Sequence, residues 1–162
     1  MNSIFKFLAV IFLLQSCAYE SVYLNKNYNF KFVEITSEGD VKINNSIKNF
    51  LKNNTNGYEN YNLYFKSLKR KEIVTSDTKG DPKIYKLIIN LEYQVEHNGE
   101  KILDDQISKQ ITYNSIKDKY KLSQYEDNLI KSLSNSISQD ILFALKISNK
   151  WLLNLMRQIK PI

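Results

Sequence analysis

Alternation of apolar and polar residues marks the most clearly defined strand in the sequence. Between Tyr85 and Val95 every second residue is apolar or aromatic, and the intervening residues are polar except Ile88. A period of two is typical of a strand with one buried and one solvated face, as in antiparallel sheets. The turn residues Asn98-Gly99 follow, so the pattern predicts a hairpin and a fourth strand from Lys101 to Tyr113.

The register of this hairpin should keep the apolar side chains of both strands on one face. A two-residue loop of Asn98-Gly99 would place odd-numbered residues opposite even-numbered ones and bury Asp104. A three-residue loop, His97-Asn98-Gly99, instead pairs Tyr93 with Leu103. We therefore expect a type I turn with Gly99 in a left-handed G1 bulge.

In two segments the apolar residues recur with the period of an α-helix. Ile43, Ile47 and Leu51 recur at helical spacing between Val41 and Lys52, with Asp40 or Ser37 as the candidate cap. A longer helix is predicted after Ser123-Gln124-Tyr125-Glu126, which match a capping box. Its apolar stripe consists of Leu129, Leu133, Ile137, Ile141 and Leu145.

Two further strands complete the predicted fold, the first over Phe30–Ile35 and the second over Tyr61–Thr75. The resulting order, β-α-β-β-β-α, predicts an α+β fold. We expect a two-layer sandwich in which a four-stranded, largely antiparallel or mixed sheet carries both helices on one face. The second strand is rich in basic residues, which suit either a solvent-facing edge strand or a ligand-binding patch. These residues are Lys66, Lys69, Arg70 and Lys71.

The amino terminus has the pattern of an export signal. The apolar run from Ile4 to Leu14 is about 11 residues, whereas roughly 20 are needed to span a bilayer. Ser16 and Cys17 follow, and a small residue before cysteine is similar to the lipobox of bacterial lipoproteins, although Gln15 departs from its usual pattern. Because Cys17 is the single cysteine, we expect it to be lipidated. The alternative is an ordinary secretory signal with an incidental cysteine.

These features divide the chain into four parts. We expect a lipoprotein signal peptide over residues 1-16, a lipidated tether over 17-28, an α/β domain over 29-146 and a cationic amphipathic tail over 147-162. The tail contains Trp151 beside basic residues. It predicts either an accessory face for a partner or membrane surface, or a helix end folded back onto the core.

The net charge limits the classes of partner that this protein is expected to bind. The formal charge is +6, and it falls by one to +5 when the signal peptide is removed, because Lys6 is its only charged residue. After export, anionic lipids, lipopolysaccharide and anionic glycans are available, whereas the compartment excludes nucleic acid. A solvated basic surface without a ligand explains the charge equally well.

Catalytic chemistry has little support in the sequence. His97 is the only histidine and lies in the predicted turn, and lipidation would consume the only cysteine. Asp104 and Asp105 are adjacent on a strand, so their side chains point to opposite faces. We therefore expect no catalytic residues, no metal site and no cofactor.

Several short motifs, in their order, resemble the LPS-assembly lipoprotein LptE family over roughly residues 17–145. They are Tyr61-Asn62-Leu63, Leu91-Glu92-Tyr93-Gln94-Val95, Thr112-Tyr113-Asn114 and Asp118-Lys119-Tyr120. The resemblance implies an outer-membrane lipoprotein on the periplasmic face that binds and plugs the LptD β-barrel and assists lipopolysaccharide assembly at the cell surface.

The resemblance also implies candidate site residues. In the family, basic residues in the turn between the second and third strands and in the loop before the last helix are linked to lipopolysaccharide binding. The matching positions here are Lys79 and Lys83 in the turn, and Lys117, Lys119 and Lys121 in the loop. Two alternatives remain: an accessory lipoprotein of another envelope lipid-transport system of the ABC type, and a cell-wall hydrolase that depends on His97.

Overall fold

The computed structural model describes the backbone of residues 28–158 and the side chains of residues 28–148. The predicted signal peptide and Cys17 lie outside these residues. The order β-α-β-β-β-α is confirmed, and so is the α+β class. The elements are β1 (Phe30–Gly39), α1 (Val41–Asn54), β2 (Glu59–Ser76), β3 (Pro82–His97), β4 (Glu100–Asn114) and α2 (Lys119–Gln158).

The sheet is mixed, in the order β1-β2-β3-β4. β1 and β2 are parallel because α1 provides the crossover between them, and the other two pairs are antiparallel hairpins. β1 is longer than predicted: Ser37 and Gly39 still pair with Phe65 and Ser67 of β2, so the expected end at Ile35 is wrong.

Both helices pack on one face of the sheet, which confirms the two-layer arrangement. The apolar stripe of each helix meets the odd-numbered side chains of the central strands in one core. Fully burying each large aliphatic side chain contributes roughly 1.5–3 kcal/mol. The completely buried residues include Ile43, Ile47, Leu51, Phe65, Ile89, Leu91, Val95, Ile137, Ile141 and Leu145.

The hairpin between β3 and β4 differs from the prediction. His97 pairs with Glu100, so the loop has two residues, Asn98 (φ 53°) and Gly99 (φ 81°), as in a type I′ turn. A register shift on β4 then pairs Val95 with Leu103, and Tyr93 faces Asp105. The predicted three-residue loop is wrong, and so is the expected pairing of Tyr93 with Leu103, because Asn-Gly favours the tighter turn and the shift adds one residue on β4. The apolar side chains of β4 nevertheless lie on the predicted face of the sheet, since Leu103, Ile107 and Ile111 pair with odd-numbered residues of β3.

The predicted cap is correct for α1 and wrong for α2. Asp40 caps α1, its Oδ1 accepting from the amides of Lys42 (3.0 Å) and Ile43 (3.1 Å). α2 begins at Lys119 instead of after Ser123, so the predicted capping box is wrong. The cause is Asp118, whose Oδ1 accepts from the amides one turn earlier than expected.

The junction between β1 and α1 buries a polar cluster against β2. Gly39 has φ +101°, and a Cβ atom added there would lie 1.9 Å from the Ser67 carbonyl oxygen. The Ser67 hydroxyl donates to Asn44 Oδ1 (2.7 Å) and accepts from the Asp40 amide (3.0 Å). Lys69 Nζ lies 2.6 Å from Asp40 Oδ2. We call these five residues the β1–α1 junction.

The ionisation of Asp40 reflects this setting. Burial by itself would raise the pKa of the carboxyl, but the hydrogen bond and charge of Lys69 and the two α1 amides outweigh it. The pKa of Asp40 is therefore lowered from its ordinary value.

β2 is an edge strand only in its second half. β1 ends opposite Ser67, so the part of β2 beyond that residue pairs with β3 alone among the described strands. Lys69 and Lys71 lie on this part, and both form ion pairs with the helix layer, to Asp40 and Glu126. These contacts give Lys69 and Lys71 a structural role toward the helix layer, whereas the edge-strand interpretation had placed them toward solvent.

α2 continues without a break through 40 residues, which corresponds to a length of about 60 Å. It therefore runs through the predicted boundary between the domain and the tail. Among the described residues, no helix has both the length and the apolarity required to cross a membrane.

Candidate functional site

The two predicted basic loops meet at one end of the sheet and enclose an open groove of about 700 Å³. One wall comes from the turn between β2 and β3, and the other from the segment between β4 and α2. A backbone hydrogen bond from the Ser115 amide to the Lys83 carbonyl (2.8 Å) joins the two walls. We call this the lysine groove.

The β2–β3 turn is fixed by the side chain of Asp77. Its Oδ1 accepts from the amides of Lys79 and Asp81, both at 2.9 Å. Gly80, with φ +87°, completes the turn by donating its amide to the Asp77 carbonyl (3.0 Å). Since one Asp77 carboxylate oxygen is occupied by these amides, the turn holds its shape without using any lysine side chain.

The opposite wall is fixed in the same way by Asp118. Its carboxylate holds the amides of Tyr120 (2.9 Å) and Lys121 (3.1 Å) and so begins α2. Lys119 and Lys121 thus lie in the first turn of the helix, whereas the sequence placed them in a loop. Lys117 precedes the cap.

The structure brings three of the five candidate lysines to the groove. Lys83, Lys117 and Lys119 line it, whereas Lys79 and Lys121 lie outside its lining. All five are exposed. Among residues 28–148, no ion pair involves any of them. The groove therefore presents three cations that the described part of the protein does not neutralise by direct contact.

The groove also has apolar and acidic walls that the sequence did not indicate. Tyr85, Ile116 and Leu122 line it, and so do Asp77 and Asp81. The alternation had assigned Tyr85 to the core, where it is only half-buried. The groove is thus lined by positive, negative and apolar side chains.

An aromatic and charged cluster supports Tyr85 from behind. Its ring stacks on Tyr113 with the centroids 5.6 Å apart, and Lys71 Nζ lies 4.0 Å from its centroid. Glu126 Oε1 accepts from Tyr113 (2.7 Å) and lies 2.5 Å from Lys71 Nζ. These contacts hold the ring in place.

The same cluster keeps Tyr113 protonated. Burial raises the pKa of its hydroxyl, and the hydrogen bond to Glu126 raises that pKa further. Tyr113 thus serves as a fixed hydrogen-bond donor to Glu126 beside the ring of Tyr85.

A second groove, of about 810 Å³, lies on the face of the sheet that carries no helix. Lys66 and Glu92, opposite each other in register, both line it. Ser108 and Asn90 also line it and are hydrogen-bonded to each other (2.7 Å). Its charges are balanced, and it contains none of the candidate lysines.

His97 lies at the hairpin end of the sheet. Its Nδ1 is 2.9 Å from the Asn60 carbonyl, its Nε2 is 3.1 Å from Asn98 Nδ2, and its ring stacks on Tyr61. Both ring nitrogens therefore have local contacts. Within the described residues, no three histidine, cysteine or acidic side chains form a group suited to a metal ion.

The fold places the protein among the small two-layer α+β sandwiches, and two of its loops form a groove at one end of the sheet. No protein-family model and no curated protein sequence matches the chain. The rare lipoprotein B structure from Shewanella oneidensis aligns with a TM-score of 0.55 at 14% identity, over 75% of this chain and 98% of that one. The minor lipoprotein from Acinetobacter baumannii aligns with a TM-score of 0.52 at 15% identity, over 72% and 93%.

A third structure, a putative lipoprotein from Caulobacter crescentus, aligns with a TM-score of 0.51 at 15% identity, over 83% of this chain and 94% of that one. At these identities the similarity establishes the fold. The chain therefore has the fold of these bacterial lipoproteins.

Proposed function

We propose that this chain is a non-catalytic lipoprotein of the outer membrane, anchored through Cys17 on the periplasmic face. It binds and plugs the LptD β-barrel and assists lipopolysaccharide assembly at the cell surface. The observation that carries this proposal is the lysine groove, to which two loops 34 residues apart in sequence, at Lys83 and Lys117, contribute cations without ion-pair partners among the described residues.

The composition of the groove suits a phosphorylated glycolipid. Lysine offers a flexible point charge to phosphate, without the bidentate geometry of arginine. Tyr85 and Leu122 offer apolar surface beside those charges. The carboxylates of Asp77 and Asp81 offer acceptors for hydrogen bonds donated by sugar hydroxyls.

The five lysines are expected to contribute unequally. Lys83, Lys117 and Lys119 line the groove and would contact the ligand directly. Lys79 and Lys121 lie outside its lining and would act through longer-range attraction, which salt screens over about 8–10 Å. Reversing the charge of a groove lysine should therefore weaken binding more than reversing that of Lys79 or Lys121.

The partner is tested by a gentle detergent pull-down of the tagged, acylated protein from its own envelope, followed by mass spectrometry of proteins and glycolipid. Recovery of a stoichiometric outer-membrane barrel together with lipopolysaccharide is the expected result. Recovery of inner-membrane transporter subunits would contradict the proposal and favour the lipid-transport accessory. Recovery of no partner would also contradict it and would leave only a tethered basic domain.

The site is tested by measuring lipopolysaccharide binding to the triple variant Lys83→Glu, Lys117→Glu, Lys119→Glu. A matched control reverses three exposed lysines elsewhere, Lys31, Lys52 and Lys131. Both variants change the net charge equally, so only a site in the groove predicts that the first loses binding and the second retains it. Equal loss in both would show that the binding is non-specific.

A further inference from the structure

The carboxyl-terminal part of α2 extends toward the end of the sheet at which β1 begins. Near its start, Glu126 contacts Tyr113 (2.7 Å), close to the end of β4. Fourteen residues after Glu126, Asp140 Oδ2 lies 2.6 Å from Lys109 Nζ, farther back along β4. α2 therefore runs antiparallel to β4, toward the hairpin.

The same end of the sheet receives the chain from the amino terminus. Glu100 at the start of β4 pairs with His97 of β3. The pairing continues across the sheet near this end, from Glu96 to Asn62 and from Glu59 to Phe30. The segment that precedes residue 28 thus joins the domain at the end toward which α2 extends.

The lengths of the two elements agree. From Asp140 to Gln158 the helix advances about 27 Å. From Lys109 to Glu100 the strand covers about 30 Å. The end of α2 therefore reaches the level of the hairpin, whereas the lysine groove lies at the opposite end of the sheet.

This part of α2 is cationic. After Asp140 the sequence contains four basic residues, Lys146, Lys150, Arg157 and Lys160, and no acidic residue. Lys146 is exposed, and Ile147 remains 45% exposed. The sequence beyond adds Trp151, two pairs of apolar residues and the single arginine of the tail, a composition typical of helices that lie in a membrane interface.

We propose that residues 146–158 of α2 lie on the surface of the anionic bilayer that holds the amino-terminal lipid. This inference rests on the proposed anchor at Cys17 only for the identity of that bilayer. Anionic lipid is the occupant that matches the charge, since a basic segment near an anionic surface gains about 1 kcal/mol per cation.

Trp151 is the only tryptophan in the chain, so its fluorescence reports on this segment alone. The full mature protein is reconstituted into vesicles of phosphatidylethanolamine and phosphatidylglycerol, with and without phospholipids brominated near the glycerol. Flotation of the vesicles reports on the acyl anchor separately. We expect Trp151 emission to shift to shorter wavelength and to lose most of its intensity to the brominated lipid.

Charge variants give the controls. Lys146→Gln, Lys150→Gln and Arg157→Gln together should reduce the ratio of inserted to free segment, by about fivefold for each cation removed. Lys48→Gln, Lys66→Gln and Lys131→Gln remove the same charge outside both this segment and the lysine groove and should leave the quenching unchanged.

Two results would overturn the inference: Trp151 that stays unquenched, whether or not the protein floats, or equal quenching in phosphatidylcholine vesicles without charge. The vesicles contain neither lipopolysaccharide nor a barrel. Failure of the proposed barrel binding or of lipopolysaccharide binding would therefore leave these readings unaffected.

Discussion

The β1–α1 junction and the lysine groove are built from the same kinds of polar residues and use them in opposite ways. In the junction, Ser67, Asn44 and Asp40 satisfy one another, and Lys69 is paired with a carboxylate. In the groove, Asp77 and Asp118 bind backbone amides, and the lysines are left without ion-pair partners among the described residues. Polar groups that satisfy one another stabilise the fold, whereas exposed cations without such partners are available to a ligand.

The largest expected effect on stability is at the junction glycine. Gly39→Ala places a Cβ atom 1.9 Å from the Ser67 carbonyl oxygen and forces a left-handed φ on alanine. We expect a loss of at least about 3 kcal/mol in the free energy of unfolding, measured by urea denaturation. Gly80→Ala is the control: its φ is also positive, but open space surrounds it, so its cost should be about 1 kcal/mol. Equal costs would show that the junction is not tightly packed.

The next effect is at the junction serine. Ser67→Ala removes the hydroxyl that connects Asn44 with the Asp40 amide and leaves both without that partner in a buried site. We expect a loss of about 2 kcal/mol in the same urea experiment. Ser108→Ala removes an exposed hydrogen bond to Asn90 and should change stability by less than about 0.5 kcal/mol. A Ser67→Ala protein as stable as this control would contradict the assigned role of the cluster.

A smaller effect is expected from the charge of Asp40. Asp40→Asn keeps a good helix cap but removes the ion pair with Lys69, which should cost about 1 kcal/mol or less at neutral pH. Because folding lowers the pKa of Asp40, the stability gained from its ionisation is fully present above its ordinary pKa of 3.8. The difference between the two proteins should therefore shrink as pH falls below that value, through the folded pKa. Urea midpoints measured at several pH values test this, and a difference that does not depend on pH would contradict it.

The smallest effect on stability is expected in the groove. Lys83→Gln, Lys117→Gln and Lys119→Gln should each change the free energy of unfolding, measured by urea denaturation, by less than about 0.5 kcal/mol. Lipopolysaccharide binding by the variant with all three substitutions should weaken, and the remaining binding should depend less on salt. Stability that falls as much as in Ser67→Ala would show that these lysines belong to the fold and not to a site.

The two layers of this fold could be predicted from the sequence because a buried face requires apolar residues at the helix or strand period. Ile43, Ile47 and Leu51 occupy one helix face, and the alternation after Tyr85 selects one side of a strand. The sequence did not predict details decided by local competition. Asp118 and Ser123 both suit a helix start, and the additional turn formed after Asp118 favours the earlier one.

The sequence indicated only some residues of the candidate site, for a different reason. The lysines were named from a family resemblance, but pattern alone cannot show that Lys83 and Lys117 converge, since this depends on the pairing of β3 with β4. That pairing places Ile84 opposite Asn114 and so brings the two loops together. Tyr85 was missed as a groove residue because alternation assigns a side chain to a face and does not show how far the covering helix extends over it.

The register shift near the hairpin also affects how readily this part of the chain can change in evolution. The two-residue turn and the single unmatched residue, Ile102, together use the same number of residues as a three-residue loop without a bulge. A relative with substitutions at Asn98 or Gly99 could change from one form to the other without an insertion or deletion. Every residue from Leu103 onward would keep its neighbours. A change of turn type at this tip therefore leaves the strand pairing of the rest of the sheet unchanged. Aligned sequences need no gap there even where the turns differ.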